Sequence, residues 1–133
     1  MKKLLFFLMM LLAVLFLSKD LFSQPVPILA KQLNEKQISE NLLIGMQSCN
    51  KGLCASCTYL MGEFCCKQGV IPLLTLLHNA KCEEIRILAA LSLCKIGDAR
   101  GVFAVKRSAV FDESPRVKKL CYLFYKAVLA GKV

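Results

Sequence analysis

Shifted by 32 residues, the sequence falls on itself. Leu53, Ile85 and Val117 share one position, Cys57, Ala89 and Cys121 another, and Tyr59, Leu91 and Leu123 a third. Further along, Gly69 meets Gly101, Val70 meets Val102 and Ile71 meets Phe103. Similar residue types at one fixed shift mark an array of supersecondary units. A unit of this size cannot bury its apolar face alone, so neighbours must stack, and about three are usually needed. The chain carries nearly two full units with a half unit at each end, so the end helices must act as caps.

Each unit reads as two helices. In the second, Ile85, Leu88, Ala89 and Leu93 lie on one helical face. Glu83 and Glu84 fall in the first turn, where the helix dipole favours negative charge. Gly97 is placed to stop this helix and Asp98 to cap the next, which carries Val102, Phe103, Val105, Ala109 and Val110 as its apolar residues. The first unit follows the same plan, with Pro72 near the start of its second helix, where a missing N–H costs little. Ser114-Pro115 is a cap followed by proline at the first helical position and opens a last helix to about Ala130. Ile38 to Met46 supplies an earlier helix. Nothing alternates with period two, so the expected fold class is all-α.

The segment Glu84-Ile85-Arg86-Ile87-Leu88-Ala89-Ala90-Leu91-Ser92-Leu93-Cys94-Lys95-Ile96-Gly97-Asp98-Ala99-Arg100-Gly101-Val102 resembles a HEAT repeat. Tyr59-Leu60-Met61-Gly62-Glu63-Phe64 with Val70-Ile71-Pro72-Leu73-Leu74 is similar to a second copy, and Ser114 to Lys119 opens a third. The resemblance covers residues 36–130 and implies a short right-handed α-solenoid of helical hairpins, a HEAT-repeat domain over 36–133. It also implies a non-catalytic scaffold that binds a protein partner. Cys66-Lys67-Gln68-Gly69 stands where the family has Gly-Asp-x-Arg, so the Asp–Arg ladder between units has one candidate rung, Asp98 and Arg100. HEAT-like repeats also occur in phycobilisome lyases, which attach bilins to cysteine, and that enzymatic reading is the resemblance's own alternative.

Lys2 and Lys3 precede an unbroken apolar run from Leu4 to Leu17. A charged start and a short apolar core make residues 1–23 a secretory signal, with Ser23 as the small residue at the cleavage site. The run is short for a membrane span, which needs about 20 apolar residues, although an uncleaved anchor is the alternative. Residues 24–35, opening Gln24-Pro25-Val26-Pro27, read as a linker. The mature chain is then expected in a periplasm or outside the cell, with no stable membrane span.

The formal net charge is +9, or +7 without residues 1–23, which hold three lysines and one aspartate. Lys95, Arg100, Lys106, Arg107, Arg116, Lys118 and Lys119 gather in the second half. A basic groove facing an acidic protein segment or an anionic envelope surface follows. Lys106, Arg107, Lys118 and Lys119 are the expected electrostatic contacts, with Tyr122 and Tyr125 as aromatic ones. The last helix should pack through Val117, Leu120, Cys121, Phe124 and Val128. That leaves Tyr122, Leu123, Tyr125 and Leu129 on an uncovered side open to weak self-association. Nucleic acid is disfavoured, because no recognition module or stacking pattern accompanies the cations.

All eight cysteines follow the cleavage site. An even number in an exported chain invites disulfides. Cys49 and Cys82, which recur in equivalent turns between units, are the candidate pair. Cys57 and Cys121 occupy the position of Ala89 and read as core, as does Cys94. Cys54 and Cys57 suggest a redox or metal site, the competing class. On one helix running from Cys54 to Cys66, however, Cys65 would lie about 12 Å along the axis from Cys57 and about 80° around it. Those sulfurs cannot converge on one tetrahedral ion, so no metal and no cofactor are expected. The chain has one histidine, which excludes any scheme needing two imidazoles. His78 falls near a helix end with no nucleophile motif beside it, and the glycines fall at repeat turns instead of a phosphate loop. No catalytic residue is assigned.

Overall fold

The computed structural model describes residues 35–132, one compact unit that contains six α-helices and, among the described residues, no strand. The expected signal over residues 1–23 and the expected linker over 24–35 lie outside the described residues, except Glu35, which already begins the first helix. The helices are α1 (Glu35–Met46), α2 (Lys51–Glu63), α3 (Val70–Asn79), α4 (Glu83–Ile96), α5 (Ala99–Phe111) and α6 (Pro115–Leu129), with a 3₁₀ turn at Lys67–Gly69 before α3.

Local chemistry sets the boundaries. Asn50 caps α2, its side-chain oxygen accepting from the Gly52 and Leu53 amides. Asp98 caps α5 through the Arg100 amide, and Ser114 caps α6 through the Val117 amide, with Pro115 first in that helix. Gly97 ends α4 in the left-handed region at φ 71°, where a Cβ would be strained. One boundary differs from expectation: α2 does not continue to Cys66. Cys65 takes φ 49°, and the Cys66 and Cys65 amides donate back to the carbonyls of Met61 and Gly62. This is the hydrogen-bond pattern of a helix stop, built on a non-glycine residue.

α4 lies at the centre and packs on α2, α3, α5 and α6. Its buried residues Ile85, Ala89, Ala90, Ser92, Leu93 and Cys94 therefore cover more than one stripe. Met61, Leu73, Leu77, Leu93, Val70, Val105 and Val117 are the largest fully buried apolar side chains around it. α2 approaches α4 tightly at Gly62, where a Cβ would stand 2.6 Å from the Ser92 Cα. Beside that crossing the Ser92 hydroxyl donates to the Thr58 carbonyl at 2.7 Å.

The buried face of α5 is Gly101, Ala104, Val105 and Ser108, while Phe103 and Val110 are each 60% exposed. Small residues face inward there because α5 lies close to α4, with the Leu93 side chain against Gly101. Asp98 and Arg100 are not a rung between units but pair with each other inside one turn at 3.0 Å. Three other pairs join elements. Lys95 of α4 pairs with Glu63 of α2, and Arg116 of α6 with Glu84 of α4 at 3.1 Å, each 32 residues apart. The third, Arg86 with Asp112, is the best buried of them.

Candidate functional site

A cleft of about 540 Å³ opens where the C-terminal turns of α3 and α5 meet the start of α4. Leu77 and Ser108 lie buried in it, and His78, Lys81, Arg107, Phe111 and Glu113 stand exposed around it. One wall is built by Arg86. Its Nε and Nη2 donate to the two Asp112 oxygens at 3.1 and 3.0 Å, and its Nη1 donates to the Ala80 carbonyl at 2.8 Å. Asp112 Oδ1 in turn accepts the Ser114 amide at 2.9 Å. This planar two-point pairing is the geometry for which a guanidinium is suited, and it fixes both loops that border the cleft. The pairing with Asp112 raises the Arg86 guanidinium further above its already high range.

With Arg86 neutralising Asp112, the cleft's remaining charges are Lys81 and Arg107 against Glu113. Neither cation has a carboxylate partner among the described residues. His78 lies at the end of α3, as the sequence places it, and among the described residues no serine or cysteine is hydrogen-bonded to it. The cleft can hold a carboxylate by charge beside the apolar ring of Phe111, and it presents no activated nucleophile. Sequence reasoning singled out Arg107 but missed Lys81 and Phe111. Lys81 stands in the turn between α3 and α4 and Phe111 ends α5, and only the packing of these elements unites them.

The other expected contacts lie on another surface. Lys106 points away from the cleft, its ammonium 5.7 Å from the centre of the Tyr125 ring on α6. Lys119 and Tyr122 are exposed, whereas Lys118 and Tyr125 are half-buried.

The cysteines divide by burial. Cys54, Cys57, Cys94 and Cys121 are buried, and all eight are free thiols in the structure, Cys49 and Cys82 included. The Cys82 Sγ sits 3.0 Å from the Glu84 carboxylate. Both members of the Cys54–Cys57 motif are core: Cys54 donates to the Met46 carbonyl, and burial raises the Cys57 thiol. Burial likewise raises Cys94 to about 11 and Cys121 to about 12. A reactive cysteine needs the opposite shift. In the folded protein at neutral pH, maleimide is therefore expected to label the exposed Cys49 and Cys65 first and to leave Cys94 and Cys121 unlabelled until denaturant is added. Mass mapping checks this, and early labelling of Cys121 would contradict its burial. Among the described residues no three His, Cys, Asp or Glu side chains are grouped to hold a metal ion.

No family model matches this chain and no curated protein matches it in sequence.

Proposed function

We propose that this chain is an exported, non-catalytic binding module of HEAT-like helical hairpins that holds an acidic segment of a protein partner. The cleft carries the reading: Lys81 and Arg107 face it without carboxylate partners, and Phe111 offers an apolar surface beside them. A carboxylate between two cations, flanked by an apolar contact, is a recognisable anchor for a peptide. The repeat reading is supported by packing. α2, α4 and α6 contact in succession, and the pairs Glu63–Lys95 and Glu84–Arg116 recur at the spacing of the sequence repeat. A right-handed solenoid of hairpins is the arrangement we infer from that spacing.

Placing a photo-crosslinking phenylalanine analogue at position 111 in the native host tests the binding reading. The expected adduct is a peptide rich in Asp and Glu. It should be lost in Lys81→Glu/Arg107→Glu and kept in Lys51→Glu, a charge change remote from the cleft. An adduct without acidic residues, or one indifferent to the cleft charges, overturns the proposal. The intact mass of the recovered chain separately tests export, since cleavage removes residues 1–23.

A further inference from the structure

α5 and α6 contain no Asp or Glu. Away from the cleft their outer surfaces meet where Lys106 lies over Tyr125. On α5, Phe103, Lys106 and Val110 follow one another at helical spacing, and all three are exposed. On α6, Lys119, Tyr122 and Lys126 are also exposed, and the Lys126 ammonium sits 5.9 Å from the Tyr122 ring centre. Lys106, Lys119 and Lys126 have no carboxylate partner among the described residues.

The interleaving decides what fits this surface. A protein interface concentrates apolar side chains at its centre and is depleted of lysine there. Here lysines separate the apolar side chains, so no such centre exists. Single-stranded nucleic acid needs successive stacking platforms along one track, whereas the exposed rings here, Phe103 and Tyr122, stand on different helices. A bilayer surface accepts both kinds at once. Apolar and aromatic tips enter the boundary between headgroups and acyl chains, while flexible lysine stems keep their ammonium groups at the level of the phosphates. We infer that the joined outer surfaces of α5 and α6 dock on an anionic bilayer, with Phe103 and Val110 inserted, the Tyr122 ring at the headgroup boundary and Lys106, Lys119 and Lys126 on lipid phosphates. This docking does not use the cleft, so it stands or falls separately from the partner reading. No described helix is long and apolar enough to cross a membrane, and peripheral docking requires none.

The full chain is tested with phosphatidylcholine vesicles, with or without a one-third share of phosphatidylglycerol. The protein has no tryptophan, so an indole introduced by Phe103→Trp reports on this surface however the chain reaches the vesicle. Its emission should shift to the blue only with phosphatidylglycerol present, and the shift should fade at high salt. The same indole in Ile71→Trp, on the exposed side of α3, should not shift. Adding Lys106→Gln/Lys119→Gln/Lys126→Gln should weaken the phosphatidylglycerol-dependent response about a hundredfold in lipid concentration. Lys51→Gln/Lys67→Gln should leave it unchanged. An unshifted F103W emission overturns the inference, as does an equal response to uncharged vesicles or to the two sets of lysine changes. If these lysine changes abolish the position-111 crosslink but leave the vesicle response intact, the surface belongs to a protein contact and the inference fails.

Discussion

Gly62→Ala is expected to lower the melting temperature by roughly 10–20 °C, the equivalent of about 2–3 kcal/mol in a domain this small. Alanine is the better helix former, so helix propensity alone predicts stabilisation. The tertiary contact reverses that sign. The added methyl would stand 2.6 Å from Ser92 Cα, 2.7 Å from its Oγ and 2.8 Å from its Cβ. A backbone atom of the central helix cannot move aside by changing rotamer, so α2 and α4 must separate along their contact. Ser92→Gly removes two of the three obstructing atoms and leaves Cα. The double variant should therefore recover only part of the loss, and thermal unfolding of the two single variants and the double one measures that. Full recovery would show that the clash lies with the serine side chain. A melting temperature unchanged in Gly62→Ala would show that the helices are not in this contact.

Asp112→Ala is expected to cost about 3–5 kcal/mol by strip-out of a partner from a buried pair. The side chains of Arg86 and Asp112 are only 12% and 8% exposed. Removing the carboxylate leaves a guanidinium that still donates to the Ala80 carbonyl but has lost both of its charge-assisted bonds. It also removes the acceptor for the Ser114 amide ahead of α6. Asp98→Ala provides the contrast. Its Arg100 partner is 64% exposed, so the loss should be much the smaller of the two, that of an exposed helix cap. Urea titration of the two variants compares them directly, and equal losses would contradict the burial of the Arg86–Asp112 pair. Salt should weaken the Asp98 pair far more than the Asp112 pair, because buried charges are poorly screened.

The two variants separate local from tertiary information. Asp98 announces itself: it follows a glycine stop, precedes an amphipathic stretch and needs only the next turn to act as a cap. Asp112 carries no such local signal, since its partner lies 26 residues earlier on another helix. The same division runs through the buried residues. The 32-residue register placed Cys57, Ala89 and Cys121 in equivalent positions, and all three are buried. On α5 the size of the apolar residues does not tell which face is buried: Gly101, Ala104 and Ser108 lie in the core while Phe103 and Val110 stand exposed. Side-chain size tells how much a residue gains from burial, not how much room the neighbouring helix leaves.

The candidate site divides likewise. The excess of cations in the second half and the absence of acids from α5 and α6 are plain in the amino-acid order. Their assignment to two surfaces is not. Arg107 is brought to the cleft beside Lys81 and Phe111, while Lys106, its chain neighbour, turns toward Tyr125.

The sequence by itself determined the helical class, the repeat spacing and the caps at Asp98 and Ser114. Each depends on residues within a few turns of one another, where periodicity and hydrogen-bond geometry are local. Tertiary structure alone decided the tight approach at Gly62, the Arg86–Asp112 pair and the separation of Arg107 from Lys106. Those depend on the distance and rotation between helices, which are set by packing side chains distant in the chain into one close-packed interior.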